Sequence, residues 1–549
     1  MIFLRNVTKE LNIVKFQKLM RTGKNLMKFR WSYRHSDKDT IFDQIRENRK
    51  IGDSFIHSSI DDIPDISLLK DIDIAADRII NAVQQKEKII IYGHDDVDGI
   101  TATYILYDFL EKLGSQNHFY YIPNRLIDDH GIQQNFIDKV KEEKFNLVIT
   151  VDGGISCKNA IIEIMENGCD VIVTDHHIVL ENLLPPALAI INPKQKDCKF
   201  PFDMIAGVGV AYFLIKRISE ITGITDDRNY LFWVAVGSIS DKVPLLDVNR
   251  IFVKEVLDTW STFDDNTLYK LSPYLEPGIN YSQRMNNIHY IIKLLSNGRG
   301  KKGKHKSMKL LVTHNKEKDV IVAEMQNQQK NHEVKLDNIR RYIRTKIPHI
   351  FGNSYVFRDL DHQIPFELLG YSASFITKKH KVPVVFIKNK NGIAVGEARG
   401  TDGFNLVDAF TYSREHLIQY GGHAKAAGFT IRSSEIDKFI KKFEEYINLK
   451  HLVIEENKRI DIDAVISSRE LDKFNEYIQM DYNLLQPFGQ GNPEPKFLLL
   501  DYLPQRDVQR MQFKKLENKI ESEVSYNVVF TFRDSSFKFI DYREKIYML

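Results

Sequence analysis

The stretch Ile89-Ile-Ile-Tyr-Gly-His-Asp-Asp-Val-Asp-Gly-Ile-Thr101 constrains this chain more than any other. Its first four residues are apolar and largely β-branched, the pattern of a short buried strand. Gly93 follows, and then His94, Asp96 and Asp98 alternate. Ile100, Tyr104, Ile105, Phe109, Leu110 and Leu113 next repeat at helical spacing, and Gly114 closes the run. An imidazole and two carboxylates therefore stand where a strand ends and a helix begins. In open α/β sheets, ligands bind outside the carboxyl ends of the strands. Clustered carboxylates repel one another unless positive charge sits among them. A divalent cation is the simple neutraliser; an acidic solvated turn is the alternative.

Further segments repeat the arrangement. Leu147–Val151 reads as a strand and leads into Asp152-Gly-Gly154. Val171–Val173 leads into Thr174-Asp-His-His177. The apolar run Trp233-Val-Ala-Val-Gly-Ser-Ile-Ser-Asp241 delivers another carboxylate, read here as a fourth strand end. A lone aspartate after a strand is usually a cap or a turn former. Recurrence in one region, twice with histidine, is poorly accounted for that way. Oxygen-rich ligands with one or two imidazoles suit manganese or magnesium better than zinc. The set is large enough for two ions, and two ions about 3.5–4 Å apart can clamp the attacking and leaving oxygens of a phosphoryl displacement. Gly93, Gly99, Gly153 and Gly154 let backbone approach ions and phosphates closely.

The chain has 549 residues, too many for one core. The spacing of strand-like and helix-like runs predicts an N-terminal lead-in over 1–75 and an α/β domain with a parallel sheet over 76–260. A charged helical connector is expected over 261–350, a second α/β domain over 351–450 and a small β-rich domain over 451–549. No apolar run approaches the roughly 20 residues a bilayer requires. Residues 1–30 lack the continuous apolar core of a signal peptide. Three cysteines, Cys157, Cys169 and Cys198, match no metal-binding spacing and fit a reducing cytoplasm. Net charge is +3 from 77 basic and 74 acidic residues, so a polyanionic partner would need locally concentrated basic groups. Arg299–Lys309, together with Arg340, Arg341, Arg344 and Lys346, offers such a concentration, or a solvated charged face. The segment Gly298-Arg-Gly-Lys-Lys-Gly-Lys-His305 imitates a phosphate-binding loop. It has His305 where serine or threonine belongs and no strand before it, so it reads as a basic loop.

Several of these motifs together resemble the ordered motifs of the DHH phosphoesterase superfamily: His94-x-Asp-x-Asp98, Asp152, Asp175-His-His177 and Asp241. Ala206-Gly-Val-Gly-Val-Ala211 is similar to the glycine segment of the RecJ branch. Gly421-Gly-His-Ala-Lys-Ala-Ala-Gly428 is similar to the signature of the DHH-associated domain. Leu485-Gln-Pro-Phe-Gly-Gln-Gly-Asn-Pro-Glu-Pro495 resembles a RecJ-type segment that precedes an oligonucleotide-binding fold. The resemblance implies a parallel-sheet DHH domain, a long helical connector, a second α/β DHH-associated domain and an OB-like tail. It implies a cytoplasmic exonuclease hydrolysing single-stranded DNA 5′→3′ to mononucleotides with two manganese or magnesium ions. Single-strand-binding protein or replication factors are its expected partners. An oligoribonuclease or nucleotide phosphatase of the same superfamily is an alternative, as is a degenerate scaffold branch serving the replicative helicase.

By motif position, the resemblance gives one metal to His94, Asp96 and Asp152. It gives the other to Asp98, Asp152, His176 and Asp241, with Asp152 bridging. Asp175 would orient, and His177 would contact the scissile phosphate or serve as a hydrogen-bonded core histidine. His423, in what reads as a glycine-rich turn with Gly421 and Gly422, would hydrogen-bond a phosphate oxygen or simply shape the turn. Arg125, Arg284 and Arg399 match family arginines that grip phosphate, a task suited to a guanidinium; a solvated surface charge is the alternative for each. The family has serines where this chain has Glu397 and Gly400, and the loop after Arg125 also departs from the family pattern.

Overall fold

Ile89–Tyr92 forms a strand buried along its whole length, and its side chains alternate between two cores. In the computed structural model, residues 30–346 and 355–544 are described apart from 34–35, 37, 124–130, 226–227, 264–270, 272–279, 299–304, 314–315, 391, 451–458, 508–510, 512, 514–519 and 534–535. Arg125, residues 1–29 and most of the basic loop before His305 lie outside the described residues.

The chain divides into two units. The larger holds His35–Asn331 and Asp463–Ile540. Its sheet has five parallel strands: β1 (Ile89–Tyr92), β2 (His118–Tyr121), β3 (Leu147–Val151), β4 (Asp170–Thr174) and β5 (Ala189–Ile191), in the order β2-β1-β3-β4-β5. Ile89, Ile91, Leu147, Ile149 and Ile172 face one core. Ile90, Tyr92, Val148, Val171 and Val173 face the other. This two-sided burial explains the nearly continuous apolar runs. Helices α1 (Ile72–Gln84), α2 (Val97–Lys112), α5 (Gly207–Thr222), α6 (Asn229–Asp241) and α7 (Asp247–Asp258) build the first core; α3 (Gln134–Glu142) and α4 (Lys158–Glu166) build the second. The strand order reverses between β1 and β3, so a crevice opens at their carboxyl ends.

The run ending at Asp241, expected as a strand, is instead helix α6. Tyr230 through Ser238 are all buried, so the helix is apolar on every side and shows no amphipathic period. Among the described residues, three helices follow the parallel sheet and its covering helices where a connector was expected: Tyr281–Ser296, Lys306–Val312 and Glu317–Lys346. The tail is β-rich, with strands Ala464–Ser467, Lys496–Tyr502, Tyr526–Arg533 and Ser536–Glu544 in one sheet.

The smaller unit comprises His332–Ile462 together with the strand Arg30–Ser32 and Asp541–Arg543. Its five-stranded sheet runs Leu417–His423, Ala426–Arg432, Ile393–Arg399, Val384–Lys390, Tyr355–Arg358, antiparallel except for the last pair. No described helix is long and apolar enough to cross a membrane. All three cysteines are free thiols.

Candidate metal centre

The site is built where β1, β3 and β4 end and α2, α5 and α6 begin or finish. Asp96 caps α2, its carboxylate accepting the Gly99 amide at 3.0 Å. That cap places Asp98 in the first turn, buried to 1% exposure. Two amides at the start of α5 then hold Asp98: Gly207 donates to Oδ2 at 2.8 Å and Val208 to Oδ1 at 2.9 Å. Free amides and the positive end of the helix dipole favour a carboxylate there. Asp152 directly follows β3 in the left-handed region, φ 54°. A non-glycine residue held so is strained, and the surrounding packing must enforce it. Asp241 ends α6, one turn after Gly237. A side chain at 237 would meet Thr101 Oγ1 at 2.6 Å and Asp98 Oδ1 at 2.9 Å, so glycine lets α6 close on α2 and brings Asp241 to the site.

His94 Nδ1 lies 2.9 Å from Asp96 Oδ2 and 3.5 Å from Asp152 Oδ2. His176 Nε2 lies 3.1 Å from Asp152 Oδ1 and 3.8 Å from both Asp98 Oδ2 and Asp241 Oδ2. Three groups of potential ligands result: His94, Asp96 and Asp152; Asp98, His176 and Asp241; Asp152, His176 and His177. Asp152 thus belongs to two of the groups, and His176 links it to the third; together these groups contain every expected ligand.

The electrostatics fit a cation. Burial, with Asp96 next, pushes Asp98 up to about 7. Burial and Asp98 push Asp241 up to about 6, and burial with the surrounding carboxylates pushes Asp152 well above the usual range. Burial drives His176 down, toward the neutral ring that ligates metals. Its Nε2 is buried without a well-formed hydrogen bond although three carboxylates surround it. An orphaned buried nitrogen among crowded carboxylates is the donor set that a hard divalent ion would complete.

Asp175 does different work. Its carboxylate accepts the amides of Ile155 at 3.0 Å, His176 at 2.7 Å and His177 at 3.0 Å, and bonds His177 Nδ1 at 2.7 Å. Burial alone would raise it, but the bonds from His177 outweigh that and hold it below its ordinary value. The same bond raises His177. The ring of His177 is 55% exposed and lines a cavity of about 220 Å³ with Tyr92, His94, Gly153, Gly154 and Cys157.

Two contributors escaped the sequence reading. Asn192 Nδ2 donates to the His177 carbonyl at 3.0 Å, and Lys194 Nζ donates to the His176 carbonyl. Both follow β5, a strand end with no ligand-type residue of its own, and that strand-end position was the available signal.

The remaining candidates are not members of these ligand groups. Arg284, half-buried on helix Tyr281–Ser296, donates to the Leu257 carbonyl and lies over the Tyr281 ring. In the smaller unit, Arg399 Nη1 bonds Glu397 Oε2 at 3.2 Å and the Ala398 carbonyl at 2.7 Å. Glu397, one departure from the family pattern, thus engages the arginine. Gly421, Gly422 and His423 are strand residues, not a turn, paired with Gly428, Ala427 and Ala426. The turn itself is Ala424 and Lys425.

Residues 88–238 match the DHH family, N-terminal domain, and residues 352–449 match the DHHA1 domain. The single-stranded-DNA-specific exonuclease RecJ of Bacillus subtilis is 30% identical over 467 residues, covering 81% of this chain and 56% of that protein. The Salmonella typhimurium RecJ is 29% identical over 465 residues, covering 78% of each. The chain thus spans little more than half the length of the first and over three quarters of the second. Among solved structures, RecJ in complex with Mn2+ from Thermus thermophilus shares the fold, with a TM-score of 0.68 at 23% identity over 94% of this chain and 80% of that one. An exonuclease RecJ bound to manganese superposes with a TM-score of 0.55 at 26% identity, covering 69% of this chain and 95% of that one.

Proposed function

The chain belongs to the RecJ type of the DHH superfamily, and on that premise we propose that it is an exonuclease that hydrolyses single-stranded DNA from the 5′ end with two divalent ions, manganese or magnesium. The observation that carries this reading is Asp152, whose two carboxylate oxygens face two separate ligand groups, Oδ2 toward His94 and Oδ1 toward His176. His94, Asp96 and Asp152 would hold one ion; Asp98, Asp152, His176 and Asp241 would hold the other. When bound, such a pair stabilises charge on the attacking and leaving oxygens of an in-line displacement at phosphorus.

The chain's own residues do the rest. Asp98 is aimed by the two amides of α5, and Asp152 by its enforced backbone conformation, so neither needs to reorganise when charge develops. Asp175 takes the Nδ1 side of His177 and leaves Nε2 to donate to a phosphate oxygen in the adjoining cavity. Arg125, Arg284 and Arg399 are proposed to contact phosphates, Arg399 by exchanging its Glu397 partner. His423 is proposed to donate to a phosphate oxygen, with Gly421 and Gly422 keeping the strand open beside it. A side chain at position 421 would meet no atom within 4 Å.

A scaffold of the degenerate branch would lack ligands, whereas all the expected ligand residues gather here. The test is Asp152→Ala. The variant is expected to fold, to lose affinity for manganese in calorimetric titration and to lose nuclease activity. Cleavage at the parent rate in manganese would refute the assignment.

A further inference from the structure

The segment Leu485-Gln-Pro-Phe-Gly-Gln-Gly-Asn-Pro-Glu-Pro495 is a prominent motif, yet it supplies no group to the site. It packs instead on the turn that immediately follows Asp241. Asp98 is fixed by two backbone amides, whereas Asp241 is the last residue of α6, followed by Lys242 in the left-handed region. Its position therefore depends on how the end of that helix is held. Leu245 donates its amide to the Gln490 carbonyl at 2.7 Å. A side chain at Gly489 would stand 2.6 Å from Leu245 Cδ1, and one at Gly491, where φ is 75°, would stand 2.9 Å from Pro244 Cβ. The two glycines thus permit the close approach. Asn249 Nδ2 also donates to the Pro244 carbonyl at 3.0 Å.

Arg250, one turn into α7, ties the same region together. It is 1% exposed, and its guanidinium donates to the carbonyls of Phe55 at 3.0 Å, Leu484 at 3.0 Å and Leu485 at 3.5 Å while lying 3.8 Å over the Phe55 ring. Burial pushes it down to about 10. A guanidinium met by carbonyls and a ring is costly to desolvate, so its placement calls for a reason beyond cohesion. Asn492 closes the segment on itself, donating to the carbonyls of Leu485 at 2.8 Å and Pro487 at 2.9 Å.

We propose that residues 485–492, locked by Arg250, clamp the Lys242–Leu246 turn and so position Asp241 for metal binding. The clamp residues touch neither substrate nor metal; they act through Asp241. The proposal rests on Asp241 being a metal ligand.

The test is a double-mutant cycle read by calorimetric titration with manganese. Gly489→Ala and Arg250→Lys are each expected to weaken one of two manganese sites by about 10–100-fold, the cost typical of disturbing a ligand's support. Gln490→Ala, which keeps the carbonyl, is expected to be silent. In an Asp241→Ala background the Gly489→Ala effect should vanish, because both act through one group. If Asp241→Ala alone leaves both sites intact, the metal assignment fails. If Asp241→Ala weakens a site while Gly489→Ala and Arg250→Lys do not, the clamp alone fails. Equal weakening with and without Asp241 would also overturn it, showing general loosening. Loss of fold in both clamp variants, with Asp241→Ala folded, would assign the segment to stability and overturn it as well.

Discussion

Asp98 and Asp241 carry a pH dependence that follows from their burial. Both sit above the ordinary carboxyl value of 3.8, Asp98 at about 7 and Asp241 at about 6. The folded, metal-free chain thus holds protons that the unfolded chain releases. Their contribution to stability is fully present below 3.8 and is lost as pH rises through about 7. A cation needs the ionised form and must displace those protons. Manganese affinity is therefore expected to climb as pH rises through about 6 and about 7, with proton release on binding over that range. Titration calorimetry in buffers of different ionisation heat counts the protons; an affinity flat across this range would contradict the assignment. Asp98 was legible in the sequence because it stands just past a short apolar strand beside His94 and Asp96, where crowded carboxylates are costly without a cation. Asp241 was read as following a strand end, whereas the run before it is helical; the motif resemblance pointed to it independently.

The short apolar strands β1, β3 and β4 were read correctly, whereas the long apolar run of α6 and the glycine-rich segment Gly421–His423 were not. Helix α6 is buried all round from Tyr230 to Ser238, and periodicity cannot separate such a run from a strand. Its 13 residues were the better guide. Strand β2, His118-Phe-Tyr-Tyr121, lies at the sheet's edge and is only partly buried, so its apolar signal is weak. The segment Gly421–His423 reads as a turn because glycine favours turns, yet pairing with Ala426–Gly428 makes it strand. That places His423 on a hydrogen-bonded ladder rather than on a loop. His423→Ala is expected to keep full manganese binding and to lose about 10²–10³ in single-turnover rate, the scale for one lost donor at a developing charge. A parent-like single-turnover rate would make the histidine structural.

At the scale of the molecule, a net charge of +3 on 549 residues provides no general attraction for a polyanion. Binding must come from local groups, and backbone-directed contacts of that kind do not read sequence. Discrimination by strand form and by end is therefore expected, with bases making little difference. The most direct measurement follows cleavage of one oligonucleotide labelled at the 5′ or the 3′ terminus, single-stranded or as a blunt duplex, with manganese or with chelator. Labelled mononucleotide is expected from the 5′-labelled single strand at the earliest times. The 3′-labelled strand should shorten progressively, and neither product should form from the duplex or in chelator. Equal cleavage of the blunt duplex, or mononucleotide released first from the 3′ label, would contradict a 5′-directed, single-strand-specific, metal-dependent nuclease.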